Sequence, residues 1–398
     1  MSLERRILLW MCVLVAVNQF GFGAMVPSLP LYAQSFGVPA SAIGMAIAAY
    51  GLARFFSALP AGRLSDTLGR RPSLAIGGLV SAFGNIWCAW ATSYPEFIVA
   101  RFVAGFGAGL VLTTGNIVLA DISTPQVRGR MIAIYQGTFI FSVGIGPFPG
   151  GLLAEHYGLA APFIFAGTGA FLATIVAWFA VRETRDMAQG SIASGGVPVS
   201  FFTQIRTLTR NVGYVLVSLI SLMNAVVRTG GLFAIIPILA TARLGLSVSA
   251  IGFGLMLGSI AGLFAAYPSG WLADRYGRKA VIVPVTVISG LSMVLFCFAP
   301  TYSWFVAACI VWGIAISAGG AAPAAYAADS APPGMNATAM STFRMTGDLG
   351  YVLGPIALGF IADLYGPIIA LLSGAFGLVL IGAAFGIFAN ESHPRRKV

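Results

Sequence analysis

Residues Gly62–Pro72 read GRLSDTLGRRP, and residues Gly270–Ala280 read GWLADRYGRKA. Each is a short polar island set between two long apolar runs. Outside such islands the chain is strongly apolar: of 398 residues, 58% are hydrophobic and 9% charged, with a mean hydropathy of +0.90. A soluble domain carries about 25% charged residues. This chain has too few to clothe a water-facing surface of its size. Apolar runs of about 20 residues separated by polar islands are what repeated crossing of a bilayer requires.

The runs are continuous, without alternation at period two, and backbone groups in lipid must be satisfied internally. They therefore predict helices. Twelve are expected, at about 7–27, 43–62, 73–92, 96–119, 131–153, 162–181, 212–237, 248–271, 280–300, 302–327, 338–361 and 366–388. The first run reads as a span in series with the rest, not as a cleaved leader, because Asn18 and Gln19 interrupt it. The expected fold class is all-α: a polytopic membrane protein.

Charge placement predicts its orientation. Of 22 Lys and Arg, 17 fall at the N-terminus, in connections 2–3, 4–5, 6–7 and 8–9, or at the C-terminus. With an even number of spans these all lie on one face; on the other, only Arg243 stands in a connection. The positive-inside rule then puts both termini in the cytoplasm, in a cell (inner or plasma) membrane. The net charge of +10 is expected to face anionic lipid headgroups. Nucleic acid is not an expected partner.

Cys12, Cys88, Cys297 and Cys309 fall inside apolar runs, which predicts free thiols. His156 and His393 lack metal-ligand spacing, and no nucleotide, hydrolase or zinc signature is present. Neither an enzyme nor a cofactor or metal site is expected.

The two islands belong to a longer repeat. At a constant offset of 208 residues, Gly62, Leu64, Asp66, Gly69 and Arg70 fall on Gly270, Leu272, Asp274, Gly277 and Arg278. Ala120, Asp121 and Pro125 fall on Ala328, Asp329 and Pro333; Gly146, Pro147 and Gly151 on Gly354, Pro355 and Gly359. The chain is expected to form two pseudo-symmetric six-helix bundles, 1–181 and 212–398, in parallel orientation. Between them, 182–211 reads as a cytoplasmic linker containing QGSIASGGVP. Parallel six-span repeats describe one transporter architecture.

These motifs resemble those of the major facilitator superfamily. GRLSDTLGRR looks like its signature between spans 2 and 3, and RFVAGFGAG from Arg101 is similar to its fourth-span motif. GPFPGG, with Gly146, Pro147, Gly150 and Gly151, resembles the antiporter motif of the twelve-span drug:proton branch; upstream, Ala133 and Ser142 stand where that branch has glycines. The resemblance covers essentially the whole chain. It implies alternating access, with a cytoplasmic gate built from Gly62, Asp66, Gly69, Arg70, Arg71, Asp121, Asp274 and Arg278. In that reading Asp66 latches onto the start of span 11, because a helix N-terminus attracts a carboxylate.

Charges inside spans are costly and read as functional. Arg54, Arg101, Arg228 and Arg344 fall within runs, and Asp348 is an acid well inside one. Arg344 and Asp348, four residues apart, share a helical face and are expected to pair. Asp348, Arg344 and Arg101 are the proton-coupling candidates. The resemblance links Arg101 to coupling, but span 1 offers Asn18 and Gln19 in place of an acid. Asn18, Gln19, Tyr135, Gln136, Asn224 and Arg228 are the substrate-cavity candidates. Two functions stay open: proton-coupled efflux of small amphipathic or organic compounds, and carriage of an organic anion or metabolite by the arginine excess. A non-transporting sensor is a third class. The expected partners are a small-molecule substrate, protons and membrane lipids, with the protein a monomer.

Overall fold

The computed structural model describes residues 3–123, 125–185, 201–332 and 335–392. Twelve of its helices are long and apolar enough to cross a membrane. Spans 1–6 are Leu3–Met25, Ala40–Ala58, Arg70–Trp90, Tyr94–Ile122, Arg130–Tyr157 and Ala161–Ala180. Spans 7–12 are Val212–Leu244, Val248–Tyr276, Arg278–Phe298, Tyr302–Asp329, Thr338–Tyr365 and Pro367–Phe388. No strand occurs among the described residues.

The polar islands are helical, not loops. The helix of span 2 runs Ala40–Leu68 and that of span 3 begins at Arg70, so the connection is Gly69 alone. Gly277 joins span 8 to span 9 in the same way. Hydropathy ends a span where charge begins, but helical hydrogen bonding continues through polar residues. The segment expected as a linker likewise contains a helix, Phe201–Thr209, with Leu208 buried in the core of the second unit. QGSIASGGVP lies outside the described residues.

Two spans are interrupted. Span 5 breaks between Ile145 and Pro147. Proline has no N–H to give the carbonyl of Val143, and its fixed φ suits a helix start. Span 7 is α-helical over Val212–Val226, a π-helix over Val227–Ile235 and α-helical again from Ile236. Such wide turns are rare and concentrate at functional sites.

The chain gathers into two compact units. The first comprises Met1–Val38, Met45–Ser194 and Ser247–Met256; the second comprises Pro39–Gly44, Gly195–Leu246 and Leu257–Val398. The first turn of span 2 therefore groups with the second unit, and the start of span 8 with the first, a division finer than a cut through the linker. Met11, Leu14, Val118, Leu119 and Tyr135 centre the core of the first unit. Tyr214, Val217, Ile220, Ile282 and Phe385 centre that of the second. All four cysteines are free thiols.

Candidate functional site

A hydrogen-bonded cluster of charged side chains lies at the ends of spans 2 and 4. Gly69 has φ 103°, a conformation that favours glycine, so span 3 can start one residue after span 2 stops. Arg70, in its first turn, is thereby turned back into the first unit. Its Nη1 donates to Asp66 at 3.0 Å and to the Ser65 carbonyl at 2.9 Å, and its Nε donates to Asp121 at 2.8 Å. The side chains of Arg70 and Asp121 are 7% and 8% exposed, whereas that of Asp66 is 72% exposed. Asp121 carries the buried pair, and Asp66 is the loosely held arm. Arg71 instead stacks its guanidinium over Trp178, 4.7 Å from the ring centre.

The second unit repeats this arrangement. Gly277 also has φ 103°. Arg278 lies 2.5 Å from Asp274 and 3.5 Å from Asp329, whose side chain is 35% exposed. The copy is wetter and looser than the original. Gly62 and its counterpart Gly270 sit inside helices with open space where a Cβ would go, so neither is required here by sterics.

Two further acids complete the networks. Glu183 accepts from the backbone N–H of Arg70 at 2.8 Å and of Arg71 at 3.1 Å, capping span 3. Glu391 does the same for Arg278 at 2.8 Å and Lys279 at 3.1 Å. Thr184 donates to Asp121 and Ser392 donates to Asp329. Glu183 and Glu391 stand at the same offset of 208, so comparison of the halves could have found them. Burial alone would raise the Glu183 carboxyl, but the N–H groups of Arg70, Arg71, Arg185 and Thr184 hold it below the usual carboxylate value.

Within the spans, the expected pairing of Arg344 with Asp348 is not formed. The ion pairs among the described residues are those of Arg70 and Arg278, and both Arg344 and Asp348 are exposed. One shared face does not oblige two side chains to meet when both reach open space. At about 100° per residue, Ser341, Arg344 and Asp348 form one stripe of span 11. Met345, Leu349, Ile356 and Phe360, also exposed, form another about 100° further round. An apolar stripe suits lipid and a polar one suits water.

The other candidates divide by burial. Arg228 is exposed within the π-helix of span 7, its guanidinium 5.9 Å from the ring centre of Phe233. One turn earlier, the side-chain oxygen of Asn224 is buried without a hydrogen-bond partner among the described residues. Gln136, Asn18 and Arg54 are half-buried. Gln19 and Tyr135 are buried, and the Gln19 side-chain amide donates to Asn18 at 2.9 Å. Helical periodicity alone could not separate these inward positions from the half-open ones.

Arg101 is fully buried. Its Nε donates to the Ala46 carbonyl at 3.3 Å, and its guanidinium carbon sits 4.5 Å from the centre of the Tyr50 ring. No described residue bonds to its two terminal nitrogens. The charge is held by a carbonyl and an aromatic face, not by an acid. In span 5, Gly146 and Gly150 leave no room for a Cβ against the backbone of span 1, and Pro147 opens the second segment.

The model of the Major Facilitator Superfamily matches residues 11–227 and 217–398. A sequence relative, the uncharacterized MFS-type transporter MJ1560 of Methanocaldococcus jannaschii, is 24% identical over 353 residues, covering 88% of this chain and 89% of that protein. The quinolone resistance protein NorA of Staphylococcus aureus is 29% identical over 169 residues, 42% of each chain. Among solved structures, the nucleoside transporter NupG aligns with a TM-score of 0.79 at 16% identity, covering 95% of this chain and 98% of that one. The human organic anion transporter MFSD10 aligns with a TM-score of 0.65 at 18% identity, covering 97% and 100%. These structural likenesses establish a shared fold.

Proposed function

Because the chain belongs to the Major Facilitator Superfamily and is therefore a membrane transporter, we propose that it exports small amphipathic or organic compounds in exchange for protons, by alternating access. Membrane orientation follows the positive-inside bias, with both termini in the cytoplasm. The observation that carries the coupling is Asp348: an in-span carboxylate, exposed, unpaired with Arg344, and set on a polar stripe apart from the apolar one. A carboxylate that meets water can exchange a proton in each cycle, and its desolvation in another state favours the protonated form. Similarity over part of the chain to NorA, a quinolone resistance protein, supports a small organic compound as the cargo. The Arg70 and Arg278 networks serve as the cytoplasmic gate, with the exposed Asp66 as its releasable arm.

A second reading, carriage of an organic anion, is favoured by Arg228, an exposed in-span cation on a π-helical turn beside the buried, unpartnered Asn224 oxygen. Uptake by proteoliposomes of a panel of charged and neutral compounds, with and without an imposed pH gradient, separates the two. In proton-coupled export, Asp348→Asn abolishes pH-driven flux and preserves substrate exchange. Unchanged pH-driven flux removes Asp348 from the coupling role. Arg228→Ala weakens binding of anionic compounds about tenfold or more if the guanidinium pairs with them; unaltered affinity for every compound ends that assignment.

A further inference from the structure

The gate does not use Arg101, and no described acid of the first unit balances its charge. A guanidinium does not shed its proton inside a protein, so burial cannot neutralise it. The acids described in that unit are engaged or remote. Asp66 and Asp121 hold Arg70, Glu183 caps span 3, and Glu155 accepts from the Ser249 hydroxyl. Glu4 opens span 1 and Arg101 lies near the start of span 4, at opposite ends of the bundle because successive spans alternate in direction. Glu96, in the first turn of span 4, accepts from Trp87 Nε1 at 2.8 Å and from the Thr92 backbone N–H and hydroxyl at 2.9 and 3.0 Å. Asp121 is about 30 Å from Arg101 along span 4.

Packing does not require the charge. At the offset of 208, Cys309 stands for Arg101 and Gly258 for Tyr50. In the second unit those two spans meet directly: a Cβ on Gly258 would collide with the Cys309 carbonyl, and one on Gly313 with the Gly258 carbonyl. The same scaffold closes there without a cation or a ring. In the first unit the Tyr50 ring covers the guanidinium and the Ala46 carbonyl takes Nε. Both terminal nitrogens, a fork of N–H donors, have no acceptor among the described residues.

An ion buried without a partner is strongly unfavourable, and free N–H donors on a charged group in low dielectric bind anions well. The room is small. A Cβ on Gly105 would collide with the Tyr50 carbonyl and one on Gly84 with the Ala104 backbone, and Arg101, Ala100 and Ala104 are all 0% exposed. Spans 2, 3 and 4 pack too closely around the guanidinium for an organic acid, whereas a monatomic anion suits both the charge and the scale. We propose that Arg101 holds a chloride ion inside the first unit, a resident counter-ion that supplies the negative charge no acid of the unit provides. The site rests neither on the cargo nor on the coupling assigned to Asp348.

Binding of radiolabelled chloride to the purified full-length protein in lipid nanodiscs tests it without a substrate. The wild type binds saturably, with bromide competing and the larger gluconate not. Arg101→Gln abolishes binding, and Arg101→Lys weakens it about tenfold or more, because a point charge replaces the fork. Arg243→Gln, which removes an exposed cation, leaves it unchanged. Replacing gluconate by chloride at equal ionic strength raises the melting temperature of the wild type and leaves that of Arg101→Gln unmoved. If neither Arg101 variant folds, anomalous scattering from wild-type crystals grown in bromide locates the ion, and density on the terminal nitrogens of Arg101 supports the site. Absence of saturable binding to the wild type overturns it, since water then serves those nitrogens. Binding that survives Arg101→Gln, or bromide seated only elsewhere, overturns it as well.

Discussion

At the scale of single residues, the two charge networks differ in burial, and burial sets their worth. Removing one partner of a buried pair costs about 3–5 kcal/mol, while exposed pairs contribute about 1 kcal/mol or less. Asp121→Ala should therefore lower thermal stability in detergent sharply, and Asp329→Ala, at a side chain 35% exposed, only slightly. Equal losses would mean that the second network is as closed as the first. Glu183 adds a pH dependence. Its folded value lies below the ordinary carboxylate value of 4.5, so its contribution is present above that pH and is lost as pH falls through the folded value. The stability gap between the wild type and Glu183→Gln should be full at neutral pH and close on acidification below about 4.5. A gap constant with pH would show that the cap does not depend on the charge. Asp66, Arg70 and Asp121 were legible from the signature and the repeat, but Glu183 was not singled out, and neither was the division into a buried pair and an exposed arm, because spacing carries no record of solvent access.

At the scale of helices, apolar runs predicted every span, since twenty apolar residues leave the chain little other choice. Ends and interruptions were less legible. The polar ends of spans 2 and 8 continue as helix because their backbone bonds are indifferent to side-chain charge. The π-helix of span 7 sets Thr229 and Gly230 against span 11, which no local pattern reports: the Thr229 hydroxyl is shared between the carbonyls of Ala225 and Tyr351, and Gly230 faces the Gly354 carbonyl. Close packing there depends on glycine. A Cβ on Gly354 would lie 2.5 Å from the Val226 Cα, and one on Gly107 would collide with the Ser81 backbone. Gly354→Ala and Gly107→Ala should each destabilise by about 1–3 kcal/mol. Gly137→Ala, with nothing within 4 Å, should be neutral or stabilising by up to about 1 kcal/mol. Thermal unfolding of the three variants checks this; a tolerated Gly354→Ala would mean that spans 7 and 11 can part.

At the scale of the whole molecule, one repeat offset explains more than any single motif. It relates Arg70 to Arg278, the helix cap Glu183 to Glu391, and the acid Glu155 to Asp363. The duplication was legible because charged residues, 9% of the chain, are scarce enough for their recurrence with glycine and proline at one offset to stand out. The cargo was not, because the cavity candidates Asn224 and Arg228 have no counterpart in the other half, where Ala16 and Phe20 stand. The one-residue joints at Gly69 and Gly277 have a practical outcome. Trypsin requires an extended, detachable strand around its target bond, and Arg70, Arg278 and Lys279 open helices with no slack before them. Digestion of membrane vesicles of either orientation should spare these three basic residues, and a peptide map cut at any of them would mean that the joint unwinds.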